Sequence, residues 1–165
     1  MFSKRMIWLV LAAVIGATMS ACSWSAERNA DGSWTVTGNI TEAEMQDEIT
    51  ASLADPLIRD VQADFEDGYI LATAQRESLD GLRVEEMTFR VDLGIINGHL
   101  SIMISNVLLD GAPMEDAWVS VWNERLANRL ENAGERHPNS TLESITLTAD
   151  DLTMVWRAEG RRGRS

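Results

Sequence analysis

The chain has 165 residues, of which 45% are apolar, and a net charge of −12. That fits one ordinary domain with a packed core plus a targeting segment, and excludes general disorder. Lys4 and Arg5 lie near the start and every acid follows Cys22, so beyond residue 21 there are 12 cations against 26 acids, a net charge of −14, which argues against a nucleic-acid partner.

Residues 1–21 read MFSKRMIWLVLAAVIGATMSA. Lys4 and Arg5 form a short basic start, and residues 6–18 form an apolar run too short for a comfortable membrane span. Small residues Ser20 and Ala21 precede Cys22, the single cysteine of the chain. One cysteine makes neither an internal disulfide nor a multi-cysteine metal site. The ordered segment resembles the signal of bacterial lipoproteins, whose lipobox sets a small residue before an invariant cysteine. MSAC matches it at Ser20, Ala21 and Cys22 and departs at Met19, where leucine is usual. The resemblance implies cleavage before Cys22, lipidation of its thiol and acylation of its new amine, as by palmitate. Cys22 is then a membrane attachment point rather than a nucleophile. Each buried methylene contributes roughly 0.8 kcal/mol, so two or more chains anchor stably. A plain cleaved signal peptide with an incidental cysteine is the alternative. Residues 22–33 are small and polar, as expected of a tether. Ser23 stands where the familiar retention residue, Asp, would follow the cysteine, which by analogy permits outer-membrane sorting.

Residues 33–40 read as a short strand or an extended arm. A helix over 40–53 follows, with Thr41 as N-cap, Glu44 completing a capping box, and Ile40 and Met45 as a hydrophobic staple. Met45, Ile49 and Leu53 make its apolar stripe, and Pro56 ends it. In 61–74 the Asp67-Gly68 pair predicts a tight hairpin with Phe65 opposite Ile70, Ala63 opposite Ala72 and Val61 opposite Ala74. In 87–109 Asn97-Gly98 predicts a second, with Ile95 opposite Leu100, Leu93 opposite Ile102 and Val91 opposite Ile104. A longer helix is predicted over 114–133, with Pro113 at its start, an apolar face including Met114, Trp118, Val121, Trp122, Leu126 and Leu130, and Gly134 at its end. Residues 140–159 read as a third hairpin turning at Asp150-Asp151, with Ile145, Leu147, Leu152, Met154 and Trp156 on one face.

These elements predict an α+β domain over 34–159, with two helices on one face of a curved, mainly antiparallel sheet built from three hairpins. Residues 160–165 form a short basic tail.

No catalytic constellation emerges, so the chain is not read as an enzyme, and no cofactor or metal is expected. His99 follows a turn and His137 lies in a loop, neither at recognisable ligand spacing. Glu66-Asp67, Glu85-Glu86 and Asp150-Asp151 fall at turns or segment edges, where solvated charge is the plain reading. Trp118 and Trp122 share one helix face; they are read as core aromatics or as the lining of an apolar groove. Tyr69, Leu71, Ile96, Met103 and Val107 fall on the opposite, outward sheet face.

The succession ITEAEMQDEI, VQADFEDGYILATA, VDLGIINGHLSIMISNVLLDGAPM, WNERLANRL and SITLTADDLTMVW resembles small bacterial envelope lipoproteins with a tubular lipid-binding (TULIP-like) half-module. The resemblance implies an apolar cavity between the long helix and the concave sheet. Trp118 and Trp122 would face Phe89, Leu93, Ile102 and Met154 across it. The expectation is a membrane-anchored, extracytoplasmic cell-envelope lipoprotein that binds a lipid or other apolar ligand without catalysis. The alternative is a structural or protein-interaction lipoprotein with a solid core; no protein partner is identifiable.

Overall fold

The computed structural model describes residues 23–135 and 139–159. Among them run strands β1 (Ser23–Arg28) and β2 (Trp34–Ile40), helix α1 (Glu42–Leu53), and strands β3 (Ile58–Glu66), β4 (Tyr69–Glu77), β5 (Val84–Ile96), β6 (His99–Leu109) and β7 (Ala112–Pro113). Helix α2 (Asp116–Glu135) and strands β8 (Ser140–Leu147) and β9 (Leu152–Ala158) follow. All pairings are antiparallel. The α+β architecture with two helices and the three expected hairpins, β3–β4, β5–β6 and β8–β9, is therefore present; β1–β2 and β6–β7 add two further returns, and the strands form two sheets rather than the single one expected, ordered β3-β4-β5-β6-β7 and β1-β2-β9-β8.

The five-stranded sheet follows from turn chemistry and alternation. Leu93 pairs with Ile102 and Val91 with Ile104, around a turn in which both Asn97 (φ 53°) and Gly98 (φ 77°) are left-handed. Phe65 pairs with Ile70 and Ala63 with Ala72 around Asp67-Gly68, where positive φ is confined to Gly68. A third tight turn, at Asp110-Gly111, folds β7 back on β6. β7 takes up Pro113, the residue expected to start the long helix, which begins instead at Asp116.

Two irregularities change which residues face the core. A shift between Arg59 and Gln62, with Asp60 at φ 52°, interrupts the Val61–Ala74 pairing; both side chains stay buried. A second shift lies beside Asn106, at φ 51°, opposite the segment Thr88–Arg90. An extra residue inverts the alternation beyond it. Val107, expected on the outward face, is consequently buried, whereas Ile96 and Met103 remain exposed.

α1 lies against β3, α2 lies against β6, and the helices touch each other. The α1 capping box forms as its sequence dictates: the Thr41 hydroxyl accepts from Glu44 N–H, and Thr41 N–H donates to Glu44 Oε2 at 2.9 Å. Both helices also satisfy backbone groups of the sheet. Glu42 Oε1 accepts from Phe65 N–H at 2.9 Å. Asn123 accepts from Ile104 N–H at 2.7 Å and donates to Ile104 C=O at 2.9 Å, doing for that residue what a neighbouring strand would do.

The four-stranded sheet joins the two ends of the described chain. β2 and β9 form its centre, with β1 and β8 at its edges. The segment expected as a tether is here partly strand β1. A turn stabilised by Asp31 Oδ1, which accepts from Ser33 N–H and Oγ–H, returns it onto β2, and Trp24 stacks on Trp156 with ring centroids 5.3 Å apart. The third hairpin closes through residues 148–151, where the Thr148 hydroxyl accepts from Asp150 and Asp151 N–H. The sheets meet at hairpin tips: Leu142 N–H donates to Gly98 C=O, and Gly68 N–H donates to Leu147 C=O. A Cβ at Gly98 would lie 2.6 Å from Thr141 Cγ2, so this contact and the positive φ both favour glycine. Leu142, Leu152 and Met154 thereby join residues of the other sheet and the helices in one core.

Candidate functional site

Of the residues expected to line an apolar cavity, Trp122, Phe89 and Met154 are each 1% exposed and belong to the core, with Leu93 and Ile102 packed partly buried against it. They are brought together as a packed interior. Where α1 and α2 approach Val91, Ile102 and Ile104, beside Met45, Ile49 and Leu126, the free volume is about 10 Å3. That is about the space of one water, well below a ligand cavity of about 300 Å3. The expected gap between the long helix and the sheet is closed there, because Leu126 and the Met45/Ile49 stripe fill it.

Trp118 does not share that environment. It is 42% exposed and lines a separate cleft of about 220 Å3 where the loop after α1 approaches α2. Ala54, Asp55, Pro56 and Leu57 form one wall, and Trp118, Val121, Trp122 and Arg125 form the other. Arg76 of β4 completes the lining. The local sequence shapes the loop wall. α1 ends with Ala54 in the left-handed region at φ 45°, an uncommon conformation for a residue with a Cβ. Asp55 Oδ1 then accepts from Leu57 N–H at 3.0 Å, holding the turn around Pro56.

Two cations border this cleft. Arg125 Nη1 donates to Leu53 C=O at 3.2 Å, satisfying a carbonyl at the end of α1, and Arg129, one turn on, pairs with Glu48 at 2.9 Å. Together they fix the junction of the helices. Arg76 continues the buried row Ile70, Ala72, Ala74 on β4, so alternation carries a guanidinium onto the apolar side of the sheet. Its side chain is 9% exposed; Nη1 lies 3.6 Å from Glu85 Oε2, and the buried Nε has no hydrogen-bond partner. Glu85 is shared, with Arg83 Nη2 3.9 Å away.

The i, i+4 spacing with Trp122 predicts Trp118 on the inward face, whereas it is 42% exposed; no expectation attached to Arg76. The signal for Arg76 was present: its register position falls on the apolar side of a strand.

Cys22 and His137 lie outside the described residues, and His99 is exposed. Among the described residues, no helix is long and apolar enough to cross a membrane, and no three His, Cys, Asp or Glu side chains are grouped to hold a metal. The chain matches no family model, no curated protein and no solved structure.

Proposed function

We propose that this is a non-catalytic, extracytoplasmic cell-envelope protein, anchored to the membrane through acylated Cys22, that binds an apolar ligand in the cleft beside Trp118. The observation that carries the binding reading is the cleft itself. About 220 Å3 is bounded by Trp118 and Val121, which are 42% and 40% exposed, and by Pro56 and Leu57. A partly exposed aromatic beside a concave, mostly apolar wall is what a small-ligand site uses. The volume favours a small molecule or one end of a larger one over an enclosed acyl chain.

The anchoring reading rests on the order of basic start, apolar run, small residues and cysteine in residues 1–22. In this reading the attachment residue directly precedes β1, which begins at Ser23, so the domain sits close to the membrane surface.

The approximately 10 Å3 left in the helix–sheet interior favours a second reading, a structural or protein-interaction lipoprotein with a solid core. Two measurements on gently extracted protein separate them. Cys22→Ala is expected to abolish incorporation of labelled fatty acid; persistent labelling overturns the anchor. Mass spectrometry is expected to detect a co-extracted apolar molecule that Val121→Trp displaces. If no molecule is carried and added amphiphiles leave tryptophan emission unchanged, the interaction lipoprotein stands.

A further inference from the structure

We infer that the ligand of the Trp118 cleft is a small organic carboxylate, its anionic end held by Arg76 and Arg125 and its apolar body lying against Trp118 and Val121. This rests on the reading of that cleft as a binding site and adds the charge and chemical class of what enters it.

The first support is the state of Arg76. A guanidinium almost never lies this deep unless its donors are matched. Here the side chain is 9% exposed, its Nε–H is unpaired, and its nearest carboxylate, Glu85, stands at 3.6 Å and is shared with Arg83. Arg76 lines the cleft, so an acceptor there can supplement the 3.6 Å contact with Glu85, which leaves the guanidinium under-satisfied. The second support is its neighbour. Arg125 lines the same cleft and commits Nη1 to Leu53 C=O, while a guanidinium has five N–H donors. The third is the competing acid. Asp55, the carboxylate lining the cleft, already accepts from Leu57 N–H through Oδ1. A planar carboxylate matches the fork of an Arg, and the volume of about 220 Å3 limits the rest to a short apolar body. The protein's overall charge of −12 repels anions at long range, so selection must come from this local pair of cations.

The test uses two ligands that differ mainly in charge, hydrocinnamate and hydrocinnamamide, titrated calorimetrically into the full chain held in nanodiscs of uncharged lipid, with empty nanodiscs as blank. Hydrocinnamate is expected to bind one site with a dissociation constant of about 1 mM or tighter, and the amide at least about tenfold more weakly. Val121→Trp, a change at an exposed helix position, is expected to remove binding by filling the cleft. Arg125→Gln is expected to weaken the acid severalfold and leave the amide unchanged. Equal binding of acid and amide, blocked by Val121→Trp, would overturn the anion while leaving the cleft as a binding site. No saturable binding of either ligand up to about 10 mM would overturn both readings. The acid–amide comparison needs no substitution at Arg76, so the outcome does not depend on whether a variant there folds.

Discussion

Trp122 and Trp118 stand one turn apart on α2, yet the first is 1% exposed and the second 42%. Helical spacing puts both on one side of the helix; what covers them is decided by the element opposite. At Trp122 the helix is clamped to β6 through Asn123, and α1 supplies Met45 and Ile49 beneath the next turn. At Trp118, α1 has ended: Ala54 turns the chain, Pro56 prevents its return to helix, and a loop forms the facing wall. The interior one turn past Trp122, at Leu126, is consequently filled to about 10 Å3, while the cleft that Trp118 lines, with Trp122 also in its wall, is open to about 220 Å3. An aromatic stripe identifies a face worth burying. It does not show how far along that face the partner reaches.

The contrast breaks most visibly at Trp122. Trp122→Ala removes a large, fully buried side chain, and the expected loss is about 3–5 kcal/mol in urea unfolding monitored by circular dichroism. A loss below about 1 kcal/mol would show that the interior is loosely packed and that the two regions do not differ as described.

Overpacking sharpens the same comparison at smaller cost. Leu126, 4% exposed, borders the tight interior, so Leu126→Trp is expected to cost about 1–3 kcal/mol, while the same substitution at Val121, on the open side, should change stability by no more than about 0.5 kcal/mol. If Leu126→Trp is tolerated and also displaces a bound molecule, a cavity exists where the packing is read as solid.

The clamp holding α2 gives a third handle. Asn123→Leu leaves the Ile104 N–H and C=O without their side-chain partners, and the expected cost is about 1–3 kcal/mol, with faster hydrogen exchange at the Ile104 amide. Unchanged exchange would mean that other groups satisfy this strand.

How much of this was legible depended on range. Asn97-Gly98 with Leu93 and Ile102 on one face specifies a hairpin within a few residues, and Thr41 with Glu44 specifies a helix start within one turn. Asp110-Gly111 carries the same kind of signal, but the returning strand, Ala112–Pro113, is too short to alternate, so Pro113 reads as a helix start. The bulge at Asn106 has only a faint mark, an Asn in a strand, although it decides whether Val107 is core or surface. The division into two sheets had no local mark at all. Trp34 pairs with Ala158 and Ile40 with Leu152, partners brought together only by the whole fold. The cleft is equally non-local, since its lining comes from the loop after α1, from β4 and from the first half of α2. Arg76 alone was readable, as a cation in register with Ile70, Ala72 and Ala74.

The smallest stability effect is the most discriminating. Trp118→Ala removes an aromatic that is already 42% exposed, so its expected cost is at most about 0.5 kcal/mol. The same change removes the partly exposed aromatic that lines the cleft. If the cleft binds, ligand affinity should fall about tenfold or more while the unfolding curve stays nearly superimposable on that of the parent. A structural tryptophan would give the opposite pattern, lost stability with nothing lost in binding. Trp122→Ala cannot make this distinction, because a change that loosens the core disturbs stability and binding together. The exposed member of the pair is therefore the residue at which a binding role separates from a folding role.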